Sequence, residues 1–257
     1  MLSDPACLGK LPPGAAESIF DPEFWRSRGE LIAAAAGRGS AWFIASGGDH
    51  QSGGHPSGGH SAGERQWVLR HYRRGGFIAR LSRDRYVWAG EDRVRAFAEW
   101  RLLDIMRQRG LPVPKPVAAR YQRKGPCYRC DLITERIVDA EPLSSALESG
   151  TLAESAWRAV GAAVARLHHA GVDHADLNAH NVLLDAAGAV SVIDFDRGRL
   201  RAQSGGGARG IWTARNLERL RRSLAKISRG LPAGRYSAQE WEWFMAGYGA
   251  AAGAAAA

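Results

Sequence analysis

The segment 174–196 constrains the fold more than any other part of the chain. It reads His174-Ala175-Asp176-Leu177-Asn178-Ala179-His180-Asn181, then Val182-Leu183-Leu184-Asp185, then a turn at Ala186-Ala187-Gly188, then Val190-Ser191-Val192-Ile193-Asp194-Phe195-Asp196. Two apolar runs of strand length joined by a glycine-containing turn form a hairpin. A hairpin returns its end to its beginning, so Asp194 comes back beside Asn181, while Asp176 leads the loop into the first strand. Two carboxylates and one carboxamide then converge as oxygen donors, a set that suits Mg²⁺. Asp-Phe-Asp alone is compatible with a mere strand end, and His-Ala-Asp with a turn. Their order, with a helix before them and a hairpin between them, is the structural context a motif needs.

The rest of the chain supplies that context. Thr151-Leu152-Ala153-Glu154 has the form of a capping box. It predicts a helix from about 152 to His169, closed by Gly171. Upstream, Val94, Phe97, Trp100, Leu103 and Met106 recur in steps of three, with Leu102 and Ile105 widening the stripe, which predicts a helix over 92–109 that stops at Gly110-Leu111-Pro112-Val113-Pro114. Strands are expected at Ala41–Ala45, Gln66–Tyr72, Val117–Tyr121 and Leu132–Ile137. Downstream, the chain reads as helix from about 213. There Leu217, Leu220, Leu224 and Ile227 share a face, and a second capping box, Ser237-Ala238-Gln239-Glu240, opens another helix. Strands with one helix come first and mostly helices follow, which is an α+β arrangement of two lobes. The expected division is an arm over 1–29, an N-terminal lobe over 30–137, a mainly helical C-terminal lobe over 138–249 and a low-complexity tail, frayed, over 250–257. A Gly/Ser/His-rich insertion occupies 47–64, a flexible loop composition within a hairpin.

Composition bears on partners. Of the 35 basic residues 31 are arginine, the formal net charge is +9, and the chain is 257 residues long. Such a balance favours anionic partners: nucleic acid, an anionic membrane surface or a phosphorylated substrate. Arginine in particular suits bidentate recognition of phosphate and carboxylate. No run approaches the 18 apolar residues of a membrane span. The N-terminus lacks the basic region and long apolar core of a secretory signal, so a reducing cytoplasmic setting is expected. Cys127-Tyr128-Arg129-Cys130 is a single pair, and Cys7 does not complete a zinc site with it.

The layout of 174–196 resembles the catalytic core of the protein kinases, whose motifs are His-Arg-Asp-x-x-x-x-Asn and Asp-Phe-Gly. The resemblance implies a bilobal protein-kinase-like fold, ATP as donor and Mg²⁺ as cofactor. Asp176 then matches the catalytic base, and Asn181 and Asp194 match the metal ligands. Gly37 and Gly39 resemble a shortened glycine-rich loop over the ATP phosphates. Arg70 stands where the family has its phosphate-binding lysine, and Glu99 where it has the ion-pair partner. Backbone groups from Glu135 to Ile137 would hold the adenine edge. Ala175 replaces the motif arginine and Asp196 the motif glycine, departures that point toward small-molecule kinases.

Several segments are similar to one bacterial family, the Kdo (3-deoxy-D-manno-octulosonic acid) kinases of lipopolysaccharide core assembly. They are Val68–Gly76, Arg95–Leu103, Gly110–Pro116, Leu132–Ile137, His174–Asn181 and Asn216–Lys226. This resemblance implies phosphorylation of the 4-hydroxyl of a Kdo residue on a lipid A precursor, by a peripheral enzyme on the cytoplasmic face of the inner membrane. Under it Arg73, Arg74 and His180 become candidates for acceptor or phosphate contacts. No specific nucleic acid and no obligate protein partner are expected. The alternatives are a kinase of heptose or of protein with the same fold, and a non-catalytic basic binding module.

Overall fold

The structure is a computed structural model that describes residues 1–8, 15–34, 41–46, 65–73, 84–201 and 207–254. Gly37, Gly39, Arg74 and the 47–64 insertion lie outside the described residues. The chain forms two compact units, Met1–Arg101 with Lys115–Arg136, and Leu102–Pro114 with Ile137–Ala257.

The first unit is built on an antiparallel sheet. In chain order its elements are β1 (Leu2–Ser3), α1 (Pro5–Leu8), α2 (Pro22–Ser27), β2 (Leu31–Ala34), β3 (Ala41–Ser46), β4 (Arg65–His71), β5 (Tyr86–Val87), the first half of α3 (Arg95–Gln108), β6 (Pro116–Lys124) and β7 (Cys127–Glu135). The strands run in the order β1-β6-β7-β4-β3-β2, with β5 also paired to β7. Alternation along β4 sorts its side chains. Trp67 and Leu69 are buried on one face, where they join Ile44, Val117, Ala118 and Ile133, and the N-terminal segment covers this core with Ile19, Phe20 and Trp25. Three residues of the stretch read from the sequence as an arm, Ile19, Phe20 and Trp25, thus belong to this unit's core. Trp25 is locked there by its indole N–H, which donates to the carbonyl of Ile19 at 2.7 Å. Arg70 falls on the opposite face of β4 by the same alternation.

The predicted helix over 92–109 is α3, preceded by a 3₁₀ turn at Glu91–Arg93. Most of its stripe is buried, Val94, Phe97, Leu102, Leu103 and Met106 being at most 6% exposed, while Trp100 and Ile105 are half-buried. Cys127 and Cys130 lie three apart on β7 and so on opposite faces of it.

The second unit contains β8 (Ala140–Pro142), α4 (Leu143–Ser149), α5 (Glu154–His169), β9 (Val172–Asp173), β10 (Val182–Asp185), β11 (Val190–Val192), β12 (Arg199–Leu200), α6 (Gly207–Ser228) and α7 (Ala238–Ala254). The expected hairpin is β10–β11, in register Val182↔Val192 and Leu184↔Val190. Its turn needs Gly188, whose φ of 82° a side chain would resist. β8 extends this sheet on the β10 side, and β9 pairs with β12 in a separate ribbon.

Helices α5 and α7 pack tightly because glycines remove the side chains where they cross. A Cβ at Gly161 would lie 2.0 Å from the carbonyl oxygen of Phe244, and one at Gly247 would lie 2.1 Å from that of Arg158. α6 joins them through His168, which is 3% exposed. Its Nδ1 lies 2.9 Å from the Tyr248 hydroxyl, and its Nε2 accepts from Asn216 Nδ2 at 3.3 Å.

Two expectations need correction. The box at Thr151–Glu154 does not form: α5 starts at Glu154, and Ala153, with no hydroxyl, stands at the cap without a side-chain bond. The second box does form, with Ser237 N–H and Oγ both donating to Glu240 Oε2, at 2.7 and 2.6 Å. The alanine-rich tail, expected frayed from 250, continues α7 through Ala254. Alanine has the highest intrinsic helix propensity and loses no side-chain entropy there.

Candidate active site

In the second unit α5 ends at His169, and Gly171, two residues on with a φ of 78°, turns the chain into β9. The backbone also passes close by at this point, since a Cβ here would lie 2.8 Å from the carbonyl of Arg201. β9 delivers the chain to His174, and the loop from His174 to Asn181 then leads into β10. Many bonds hold this loop. Leu177 and Ala179 are at most 1% exposed. The amide of Ala179 donates to Ser223 Oγ of α6 at 3.2 Å, and its carbonyl accepts from the Ser144 amide of α4. Asn178 is spent inside the loop: Nδ2 donates to the Asp176 carbonyl and Oδ1 accepts from the His180 amide, both at 2.9 Å.

His174 ties the loop to the strand that ends at Asp194. It is 2% exposed. Its Nε2 lies 2.9 Å from the Ile193 carbonyl, and its Nδ1 lies 3.3 Å from the Asp176 amide. One tautomer satisfies both partners: Nε2–H donates to the carbonyl, and bare Nδ1 accepts from the amide. Burial pushes the His174 pKa down and keeps the ring neutral, against the opposing pull of the Ile193 carbonyl and the Asp194 and Asp176 carboxylates. The ring packs on Phe195, centroids 4.5 Å apart.

The three predicted oxygen donors are gathered in this unit. The Asn181 carbonyl accepts from the Ile193 amide at 2.9 Å, so Asn181 and Asp194 sit at the open end of the hairpin. Asn181 Nδ2 donates to the Asp176 carbonyl at 3.2 Å, which leaves Oδ1 as the atom able to ligate. Asp194 has a φ of 66° and Ala175 one of 59°. Left-handed backbone at non-glycine residues is costly and tends to concentrate at functional sites. The Asp176 side chain is half-exposed, and its Oδ1 accepts from Arg219 Nη1 of α6 at 3.0 Å. Asn181 Oδ1 and the Asp194 carboxylate are hard oxygen donors. Two such groups, with phosphate oxygens and water completing an octahedron, are what Mg²⁺ takes in phosphoryl-transfer sites. Among the described residues no group of three or more His, Cys, Asp or Glu side chains could enclose an ion unaided.

A second cluster lies in the first unit. Arg70 Nη2 pairs with Glu99 Oε2 of α3, and the Tyr72 hydroxyl donates to the same carboxylate oxygen. Arg70 also donates to the Tyr72 hydroxyl at 3.1 Å. Glu99 is buried, at 2% side-chain exposure, whereas Arg70 keeps 24%. The carboxylate thus serves to fix a guanidinium that is itself only partly buried. Of the residues assigned to the adenine edge, Glu135 has its amide spent on the Lys115 carbonyl, and the neighbouring Arg136 amide is spent on that of Gln66, both at 2.8 Å. Ile137 follows them as the first residue of the next segment. Arg73 and His180 are exposed.

Sequence reasoning missed Tyr72 and Arg219, and also the neighbouring pair in which the exposed Arg201 clasps the buried Asp173, Nε and Nη2 donating to Oδ2 at 3.0 and 2.7 Å. Tyr72 was findable, because it lies two residues from Arg70 on an extended segment and therefore on the same face. Arg219 was not, being one of several arginines on an exposed helical face.

The family model described as "Lipopolysaccharide kinase (Kdo/WaaP) family" matches residues 22–248. A protein of Stenotrophomonas maltophilia (strain K279a) named 3-deoxy-D-manno-octulosonic acid kinase is 44% identical over 214 residues, 83% of this chain and 76% of that protein. Its namesake from Xanthomonas euvesicatoria pv. vesicatoria (strain 85-10) is 45% identical over the same shares, and one from Xylella fastidiosa (strain 9a5c) is 44% identical over 81% of this chain and 75% of its own. The match spans both units and takes in the His174–Asn181 loop, the β10–β11 hairpin and the Arg70–Glu99 pair, and the chain belongs to the lipopolysaccharide kinase (Kdo/WaaP) family.

Proposed function

We infer that this protein is a Kdo kinase, transferring a phosphoryl group to a hydroxyl of a Kdo residue during lipopolysaccharide core biosynthesis. The observation that carries the reading is the set Asp176, Asn181 and Asp194, held by His174 in a chain 44% identical to proteins named for that reaction. More finely, the donor is ATP, the acceptor hydroxyl is the 4-hydroxyl, and the acceptor is a Kdo-bearing lipid A precursor.

Each residue then has a task. Asp176 orients the acceptor hydroxyl and takes its proton as the oxygen attacks. Arg70, held by Glu99 and Tyr72, neutralises charge on the donor's α- and β-phosphates. Asn181 and Asp194 would hold Mg²⁺, which when bound offsets the negative charge of the transferring group. Because the Glu135 and Arg136 amides are engaged, the adenine edge takes its donor from Ile137. Little covalent chemistry falls to the protein, so rate comes from positioning and electrostatics. Arg73, Arg74 and His180 are candidates for acceptor or phosphate contact. The basic chain docks as a peripheral protein on the anionic inner-membrane surface, and among the described residues no helix is long and apolar enough to cross a membrane.

The test is transfer of labelled γ-phosphate from ATP, with Mg²⁺ and detergent, to a Kdo–lipid A precursor, to heptose-bearing acceptors and to a generic protein. Selective labelling of the Kdo lipid is expected. Labelling of heptose or protein instead would discard the acceptor while keeping the kinase chemistry.

A further inference from the structure

The ion pair between Asp176 and Arg219 has a place in the site that the reading above does not use. A half-exposed pair on a protein surface is ordinarily worth little, but this one is built. Arg219 lies on α6 three residues after Asn216, which is 2% exposed and bonded to His168, and one before the buried Leu220. One turn further on, Ser223 holds the Ala179 amide. α6 therefore grips the loop at two points, Ala179 through Ser223 and the proposed base through Arg219. Within the loop, the Asn178 carboxamide is consumed by backbone bonds at both ends, and the cation paired with the Asp176 carboxylate is Arg219 of α6.

A guanidinium carries five donors in a planar fork. The Asp176 contact engages one of its nitrogens, Nη1, at 3.0 Å, and the side chain remains 47% exposed. Arg219 therefore stands, still half-exposed, beside the residue proposed to contact the acceptor hydroxyl. Under the Kdo reading, on which this step rests, the acceptor is a sugar acid, with a carboxylate on the same ring as its hydroxyls. We propose that Arg219 is the residue that recognises this carboxylate, pairing with Asp176 until the acceptor arrives and thereby selecting acidic over neutral sugars. Arginine matches a carboxylate bidentately, which a lysine does not.

The experiment compares the Kdo–lipid A precursor with the same lipid whose Kdo carboxyl is a methyl ester, using wild type, Arg219→Ala and Arg219→Lys. Losing one charged hydrogen-bonded contact lowers affinity about 10- to 100-fold. The ester should raise the acceptor KM of the wild type by that factor. Arg219→Ala should raise KM for the acid by a similar factor, leave KM for ATP unchanged and show no further loss on the ester, with Arg219→Lys in between. Equal use of acid and ester by the wild type overturns the proposal without any variant, as does a loss that falls on KM for ATP or two losses that multiply. A wild-type enzyme inert toward the acid acceptor would instead overturn the Kdo reading itself.

Discussion

His174 shows how one buried side chain can hold a reaction centre together. Its neutral form donates to the strand before Asp194 and accepts from the amide of Asp176. Protonation would set an N–H against that amide N–H. With its folded pKa pushed below the ordinary 6.5, the unfolded chain binds the proton first as the medium is acidified. The stability contributed by neutral His174 is therefore complete above 6.5 and is lost as pH falls toward the folded value. Urea midpoints measured across that window should fall more steeply for the wild type than for His174→Gln. Glu99 is the equivalent in the first unit: a buried carboxylate that takes both the Arg70 guanidinium and the Tyr72 hydroxyl. Glu99→Gln keeps the shape and removes the charge. It should lower kcat/KM for ATP about 10- to 100-fold, the range for one charged hydrogen bond, and steady-state kinetics at varied ATP would measure it.

At the scale of elements, α5 and α7 set where the loop begins. A Cβ at Gly161 would collide with backbone of α7, which cannot move aside as a flexible side chain can. Gly161→Ala should destabilise the protein by about 1–3 kcal/mol or more, in the range of overpacked cores, read from denaturant unfolding. Long elements were legible in the sequence because they are periodic or extended: the α3 stripe and the run of β4. The β10–β11 hairpin, only four and three residues a side, was read from the glycine turn between its two apolar runs. Other short elements were not legible. β8, α4, β9 and β12 are two to seven residues long, too short to show a period, and are defined by the neighbours they pair with. The Thr151–Glu154 box misled because the motif requires the helix to begin at its first residue, whereas here it begins at its last. Asp176, Asn181 and Asp194 were readable because one loop and one hairpin carry all three. Arg219 comes from 43 residues beyond its partner, and only the packing of α6 selects it among its neighbouring arginines.

For the molecule as a whole, the arginine-rich +9 charge and the proposed acid acceptor belong together. A phosphorylated, carboxylated lipid lies in an anionic surface, where each nearby basic residue contributes about 1 kcal/mol of attraction. Co-sedimentation with anionic phospholipid vesicles should be strong at low salt, weaken as salt rises and be absent with neutral vesicles. Salt-independent binding would point to apolar insertion instead. Every step of the account passes through Asp176, and its most direct test is the rate of Kdo-lipid phosphorylation by Asp176→Asn beside the wild type, with ATP binding measured on both. The substitution keeps the size of the side chain and removes its ability to take a proton, so turnover should fall by about 10²-fold or more, in the range general-base catalysis contributes, while ATP binds as before. An Asp176→Asn enzyme that phosphorylates the Kdo lipid at close to the wild-type rate would contradict it.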